Sequence, residues 1–292
     1  MTESPVLQLT EVFRSFGVHR VLDGISWSVP AGSVVGVVGR NGCGKSTLLH
    51  TALGLLRPES GTVRLLGEDP RHLSVAGKAR LGWVPQVPCL PPSLTVDTAC
   101  RFYRALYPRW DQELVDGLVQ RFELPRSTRV GAMSLGQVQA VALAMALGPH
   151  PDLLILDEPA ASLDPVARRA FHDAVLEVAC DGQRTVILAT HLLGDLERLA
   201  DRLLLLGQGQ VRYDGSLDDL RSGTKRVRMV AGRSLPRPAW ADVLSWRSLE
   251  GGAVAVIHGD ANAAALRARE VFGAEVFIEE LSLEDLVVEH QS

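Results

Sequence analysis

The sequence has few cysteines and no long apolar run. Its 292 residues include four cysteines, which stand far apart and form no C-x-x-C pair, so neither a zinc site nor a disulfide framework is predicted. No apolar stretch approaches the ~20 residues of a membrane-spanning helix, and residues 1–5 contain no basic stretch leading into an apolar one. We therefore expect a protein of the reducing cytoplasm, in which any membrane role comes through a partner.

An excess of positive charge is also missing. The formal net charge is −4, whereas a nucleic-acid-binding domain usually carries a basic face or stripe. We therefore expect no nucleic acid partner. The hydrophobic content of 46% and the charged content of 22% are ordinary for a globular protein, and the length suffices for one large and one smaller domain.

The strongest motif is a glycine-rich loop, residues 39–47, which reads GRNGCGKST and fits G-x-x-x-x-G-K-[ST]. A Val-rich run at 33–38 predicts a buried strand before it, and leucines at helical spacing predict a helix after it. Backbone amides of such a loop approach phosphates, Lys45 adds a charge, and Ser46 offers a hydroxyl to Mg²⁺. The alternative is a plain turn. The predicted nucleotide-binding residues here are Gly39, Asn41, Gly42, Cys43, Gly44, Lys45, Ser46 and Thr47.

A second motif places two acids after an apolar run. Residues 153–156 (LLIL) predict a buried strand that ends at Asp157 and Glu158. In open α/β sheets ligands bind at the carboxyl ends of the strands. Asp157 can hold Mg²⁺ directly or through water, and Glu158 can orient and deprotonate a water. His191 follows another predicted strand, 185–189, and either contacts phosphate or has a structural role.

Phe16 and Ser134 each allow two interpretations. Phe16 either stacks on a base or packs at the turn beside it. Ser134 precedes an Ala- and Leu-rich helical run, so it is either a simple N-cap or part of a second anion site. A third feature, the Pro-rich link 88–92 after Gln86, is typical of a rigid connection and leads to a predicted helical insertion. The aromatic residues of that insertion are explained by packing between helices.

Two domains are predicted. Residues 1–223 hold the motifs, with an antiparallel β part, a mixed sheet and a helical subdomain at about 87–150. Residues 224–292 contain three strand-like runs, a helical run at 261–272 and an amphipathic segment at 283–288, which together predict a small α+β domain. This second part shows no metal-ligand cluster, nucleophile constellation or repeat, so no chemistry is assigned to it.

In their order and spacing these motifs resemble those of the ATP-binding cassette (ABC) family over roughly residues 6–221. The resemblance implies an α/β fold with a P-loop NTPase core of ABC type. It also gives each motif residue a family position. These are Phe16 as the base-stacking aromatic, Gly39 to Thr47 as Walker A, Gln86 in the Q-loop, Ser134, Gly136 and Gln137 in the signature, Asp157 and Glu158 in Walker B, Asp164 in the D-loop, and His191 as the switch histidine.

The resemblance further implies an ATPase subunit that powers a membrane transporter, with ATP and Mg²⁺ as cofactors. Glu158 would act on water, Gln86 would help Ser46 and Asp157 to hold Mg²⁺, and His191 would steady the γ-phosphate. Two ATPase subunits, identical or different, would pair head to tail and close each ATP site with the opposite signature. Integral membrane subunits would hold the pair at the cytoplasmic face of the membrane, and the resemblance implies that they dock on the surface formed by Gln86, residues 87–94 and the helical insertion.

Finer features are similar to single-cassette subunits of bacterial exporters, including those thought to act in drug or peptide-antibiotic resistance. The segments that carry this similarity are residues 107–111, residues 195–202 and the tail from residue 225. The alternative is a soluble, non-transport ABC ATPase with a regulatory role or a role in a macromolecular machine. A membrane protein that co-purifies with the chain distinguishes the two.

Two positions depart from the family pattern. Leu135 replaces the first glycine of the usual signature LSGGQ, which puts in question how closely two subunits approach there. Cys43 stands where Ala or Ser is commoner, and a reachable thiol at this position would make the loop sensitive to alkylation.

Overall fold

The computed structural model describes residues 4–180 and 182–290. Contacts along the chain group it into two compact units, residues 1–211 and 212–292. This division differs from the domain boundary at 223/224, which stays a prediction. The expected lack of a leader at 1–5 falls partly outside the described residues, which begin at Ser4.

Strands make up much of both units. Within the described residues they are, in chain order, β1 (Leu7–Phe16), β2 (His19–Val29), β3 (Val34–Gly39), β4 (Ser60–Leu65), β5 (Leu81–Val84), β6 (Leu153–Asp157), β7 (Thr185–Ala189), β8 (Arg202–Gly207), β9 (Gln210–Ser216), β10 (Thr224–Val230), β11 (Val243–Leu249), β12 (Gly252–His258) and β13 (Glu275–Glu279).

Helices connect many of these strands. The α-helices of the described residues are α1 (Lys45–Ala52), α2 (Val75–Ala79), α3 (Val96–Leu106), α4 (Gln112–Arg121), α5 (Leu135–Leu147), α6 (Pro165–Ala179), α7 (Leu193–Leu199), α8 (Leu217–Gly223), α9 (Ala261–Phe272) and α10 (Leu283–His290).

Two sheets contain the first nine strands. One is antiparallel with the order β2-β1-β4, and the other has the order β5-β6-β7-β3-β8-β9. Pairing from β5 through β8 is parallel. Every residue of β3, β6 and β7 is buried, as expected for parallel strands covered on both faces. The mixed sheet, the antiparallel part and the helices confirm the predicted α/β fold class.

Helix α1, which follows the glycine-rich loop, belongs to the core that joins the two sheets. Its Leu48 and Leu49 are fully buried in one cluster with Leu9 and Trp27 of the antiparallel sheet and with Ile155 of β6. Burying one leucine side chain stabilises a fold by about 1.5–3 kcal/mol. The start of α1 is therefore fixed from both sides by apolar packing.

The predicted helical insertion comprises α3, α4 and α5. Tyr103 stacks on Tyr107, with ring centroids 6.0 Å apart, and lies 6.3 Å from Trp110. Phe102 instead keeps 56% of its surface exposed. The Phe102 ring also meets the Tyr103 ring edge-on, with centroids 5.8 Å apart. All four aromatic side chains are thus in ring contact, as the helical spacing predicts, and Phe102 faces solvent as well.

The second unit contains a four-stranded antiparallel sheet with the order β11-β12-β10-β13. Helix α9 covers one face of it through alanines, among them Ala264 and Ala268, which pack on Val227 and Met229 of β10. Helix α10 contacts α8 and β11. The sequence analysis missed β11, because its polar residues and half-exposed edge position weaken the alternation that marks a strand.

Candidate nucleotide site

A cavity of about 460 Å³ opens beside the start of α1. It brings together parts of the chain that lie far apart in sequence, from β1 to the end of β7. All but one of the residues around it were singled out in the sequence, the exception being Val21. The lining residues are Phe16, Val21, Asn41, Gly42, Gly44, Lys45, Ser46, Thr47, Gln86, Glu158 and His191.

The glycine-rich loop needs glycine for two physical reasons. Gly42 and Gly44 have φ angles of 81° and 109°, in the left-handed region that other residues rarely adopt. A Cβ on Gly44 would also come within 2.9 Å of the Val21 carbonyl oxygen. Gly44 is the N-cap of α1 and has no side chain to cap the helix, so the amides of the first turn remain available to an anion.

Lys45 places a buried ammonium group over this loop. Its Nζ donates to the Gly39 carbonyl at 2.8 Å and lies 3.5 Å from the carbonyl oxygen of Arg40. Only 8% of the residue is exposed. Carbonyl oxygens solvate the ammonium group without neutralising it, so a full positive charge stays next to the helix start.

Asp157 ends β6, and the neighbouring Ser46 hydroxyl acts to lower the pKa of its carboxyl. Its exposure is 1%, and its Oδ1 atom has no hydrogen-bond partner within the described residues. Burial raises the pKa of the Asp157 carboxyl, and the charge of Glu158 adds to this, while the Ser46 hydrogen bond opposes it. A buried, unpaired carboxylate oxygen beside a hydroxyl suits a hard cation such as Mg²⁺, so these residues fit that ion.

Glu158 and His191 meet at the ends of neighbouring strands. The Glu158 Oε2 atom lies 2.8 Å from His191 Nδ1 and also accepts from the His191 backbone N–H at 3.4 Å. Glu158 has a φ of 48°, a left-handed conformation that costs about 1–3 kcal/mol in a non-glycine residue. Its N–H donates to the Ala189 carbonyl at 2.8 Å. The neighbouring strand therefore helps to hold this strained residue where it lines the cavity.

The signature residues lie elsewhere. Ser134 caps α5 in a reciprocal box, in which its Oγ accepts from the Gln137 N–H at 3.2 Å and Gln137 Oε1 accepts from the Ser134 N–H at 3.0 Å. Gly136 packs so close to Ser162 that an added Cβ would lie 2.7 Å from its carbonyl oxygen. Leu135 is 53% exposed.

Asp164 likewise performs a capping role, accepting at 2.9 Å from two backbone amides at the start of α6. Among the described residues that line the cavity, neither Asp164 nor the signature trio Ser134, Gly136 and Gln137 is present. The structure of one chain thus brings together the loop, Gln86, Glu158 and His191, and does not bring the signature to them.

Cys43 and Gly39 support the loop from outside the cavity. A Cβ on Gly39 would come within 2.3 Å of the Cys43 sulfur, so the two residues are packed against each other. Burial raises the pKa of the Cys43 thiol, an effect that Lys45 opposes. A raised thiol pKa reduces the thiolate fraction, and with it the sensitivity to alkylation.

Arg14 was missed by the sequence analysis. Its guanidinium carbon lies 4.8 Å from the centre of the Phe16 ring, and its NH1 donates to the Arg57 carbonyl at 3.2 Å. Ser15 lies between these two residues, and its backbone N–H and its hydroxyl both donate to the Glu59 carboxylate. The spacing of Arg14 and Phe16, two residues apart on one strand, was the available signal, because such residues share a face.

Comparison with known proteins agrees with the motif order. Residues 22–161 match the family model described as ABC transporter. The chain is 36% identical over 216 residues to Nod factor export ATP-binding protein I of Paraburkholderia xenovorans (strain LB400), which covers 72% of this chain and 70% of that protein. It is 31% identical over 225 residues to the uncharacterized ABC transporter ATP-binding protein YdbJ of Bacillus subtilis (strain 168). That match covers 76% of this chain and 73% of YdbJ.

Solved structures resemble the fold as well. One, titled as the ATP binding subunit of an ABC transporter, gives a TM-score of 0.68 at 27% identity and covers 74% of this chain and 92% of its own. Another, a bacterial Atm1-family ABC exporter with ATP bound, gives a TM-score of 0.65 at 26% identity. The match covers 76% of this chain and 41% of the exporter chain.

The described residues include no helix long and apolar enough to cross a membrane. The relatives share over 30% identity with this chain across more than two thirds of their length, and its loop, Glu158 and His191 meet in one cavity. The chain therefore belongs to the ABC transporter family, as an ATP-binding subunit whose ATPase activity is coupled to transport.

Proposed function

We propose that this subunit powers an exporter, and that ATP with Mg²⁺ binds in the cavity beside α1. The carrying observation is the meeting of Lys45, Ser46, Glu158 and His191 around one cavity. Export is supported by the relatives, one of which is named for Nod factor export and another titled as an exporter. Drugs or antibiotic peptides are the substrate classes that we propose.

Each residue has a defined task in this proposal. The first-turn amides and Lys45 bind the phosphates, and Phe16 stacks on the base. Mg²⁺, held by Ser46, Asp157 and Gln86, would neutralise charge on the phosphates. Glu158 takes a proton from the attacking water, and His191 contacts the γ-phosphate.

Replacing Glu158 tests the hydrolytic role. Glu158→Gln keeps the size of the side chain but removes the base, so we expect kcat to fall by about 10²–10⁴ while ATP still binds. Phosphate release and calorimetric titration with ATP measure the two effects. Glu177→Gln, on the exposed side of α6, is the matched control. Wild-type turnover by Glu158→Gln would exclude the proposed role.

Head-to-tail pairing explains why the signature is absent from the cavity of one chain. In such a pair the Ser134 and Gly136 of one subunit would complete the ATP site of the other, and the exposed Leu135 would lie at the contact. Sedimentation of the Glu158→Gln variant with ATP and Mg²⁺ should show a dimer, and an added Ser134→Arg change should abolish it. If the protein stays monomeric at saturating ATP, pairing of identical subunits is wrong, and a different ATPase partner remains to be tested by co-purification.

Membrane subunits are the remaining proposed partner, and they would place the chain at the cytoplasmic face of the membrane. Val87 after Gln86 and Phe102 in the helical insertion expose 67% and 56% of their surface, which suits an apolar contact. Substituting both with Ser should reduce co-purification with the membrane partner without affecting ATP binding. Unchanged co-purification would place the contact elsewhere.

A further inference from the structure

A second cavity, of about 300 Å³, lies on the C-terminal sheet, within the unit formed by residues 212–292. Strands β10, β11 and β12 line it, together with helix α10. The residues that matter for its chemistry are Arg226, Ser245, Arg247, Val254, Val256 and Glu289.

These strand residues share the face opposite to α9. In the strand register, Val256 of β12 pairs with Arg226 of β10 and with Ser245 of β11. Two residues away on β12, Val254 pairs with Arg247 of β11. Their sequence neighbours, such as Val227 and Ala255, are buried under α9. Because strand side chains alternate between faces, the cavity has an apolar floor with polar groups on the neighbouring strands.

Two opposite charges line this cavity without pairing. Within the described part of the chain, the side chains of Arg247 and Glu289 have no hydrogen bond or ion pair, although both line the same space. Arg226 is different, since its NH2 lies 3.2 Å from Asp285 Oδ2. Among the described residues, the cavity is therefore lined by one cation and one anion that form no ion pair with each other.

We propose that this cavity binds a small zwitterion with an apolar side chain, that is, an apolar α-amino acid. Its carboxylate would bind the Arg247 guanidinium, which suits planar anions, and the Ser245 hydroxyl. Its ammonium group would bind Glu289. Its side chain would lie on the partly exposed Val254 and on Leu249, which also lines the cavity and is 43% exposed. A volume of about 300 Å³ is at the lower end for ligand sites, as this small ligand requires.

The test is calorimetric titration of the full chain with leucine, isoleucine, valine, methionine and phenylalanine. N-acetyl-leucine, which lacks the ammonium charge, and leucinamide, which lacks the carboxylate, are the matched probes. We expect free amino acids to bind and both derivatives to bind at least about tenfold more weakly, because each loses a charged hydrogen bond. Arg247→Gln and Glu289→Gln should weaken binding to a similar degree.

Two variants serve as controls. Arg228→Gln alters an arginine of the same face that is paired with Glu279 at 3.0 Å and lies outside the cavity, and Glu284→Gln alters an exposed acid of α10. Both should bind as the wild type does. Circular dichroism and thermal melting of every variant check that the chain is folded, and ATP titration reports separately on the nucleotide site.

Three results would overturn the proposal. The first is that none of the five amino acids binds at millimolar concentration. The second is that Arg247→Gln binds as tightly as the wild type. The third is that N-acetyl-leucine binds as tightly as leucine, which would make the cavity a simple anion site.

Discussion

Asp157 and Lys45 are buried charged groups, and in the described structure neither forms an ion pair, although the charge of Lys45 acts to lower the pKa of Asp157. Burying a charge without a partner is costly, and the raised pKa of Asp157 reflects that cost. Ligands of opposite charge would offset this cost, namely a polyanion bound beside Lys45 and a divalent cation bound beside Asp157. Both residues were identified from the sequence, whereas their burial was not.

Arg14 should position Phe16 for the base of ATP. Removing the guanidinium in Arg14→Ala loses a ring contact worth about 0.5–1 kcal/mol, so we expect the Kd for ATP to rise about two- to fivefold with kcat nearly unchanged. Binding of inorganic tripolyphosphate, which has no base, should not change. Arg20→Ala removes a similar contact to Phe13 in the same sheet and is the control. Equal loss of tripolyphosphate affinity would show that Arg14 acts on the phosphates instead.

His290 should make the second unit sensitive to acid. Burial lowers its pKa from the ordinary value of 6.5, and the charge of His258 adds to this. The groups around it are Thr224 Oγ1 at 3.2 Å and the rings of His258 and Tyr213 at 5.2 and 6.0 Å. Because the unfolded state binds the proton more readily, the stability contributed by neutral His290 is present above about pH 6.5 and is lost as the pH falls through the folded pKa.

Thermal melting between pH 7.5 and 5.5 measures this loss. His290→Gln should show a smaller decrease than the wild type, while the exposed His19→Gln should follow the wild type. An identical pH profile for His290→Gln and the wild type would contradict the assignment.

At the scale of elements, glycines show how local sequence and tertiary packing differ. Gly117 lies in α4 with no atom within 4 Å of an added Cβ, whereas a Cβ on Gly148, at the end of α5, would come within 2.5 Å of the Trp110 ring. Both look alike in the sequence, as glycines in or next to helical runs. Only the folded structure separates a replaceable glycine from one that the ring requires.

Gly117→Ala should therefore stabilise the protein by about 0.4–1 kcal/mol, through helix propensity and lower entropy of the unfolded chain. Gly148→Ala should destabilise it by about 1–3 kcal/mol, since the ring must move. Chemical denaturation of the two variants measures the difference. If both changes have the same sign, the packing of Trp110 on Gly148 is not as described.

For the whole molecule, the two units should respond separately to ATP. Ligand at 100 times its Kd stabilises the folded state that binds it by about 2.7 kcal/mol. We expect hydrogen exchange of Glu158→Gln with ATP and Mg²⁺ to slow in α1, β3 and β6, and to change little in β10 to β13. Lys45→Ala, which should bind ATP weakly, is the control. An equal slowing in both units would mean that the second unit takes part in the ATP response.

The sequence by itself determined the α/β class, the phosphate loop and the positions of Asp157 and Glu158, because periodicity, glycine and a strand end are encoded by neighbouring residues. The roles of the individual site residues and the domain boundary stay predictions. The tertiary structure decided which distant residues share a site: Glu158 contacts His191, and Arg247 and Glu289 line one cavity. These residues were brought together by strand register and by packing between elements, and such contacts depend on the whole fold rather than on any local pattern.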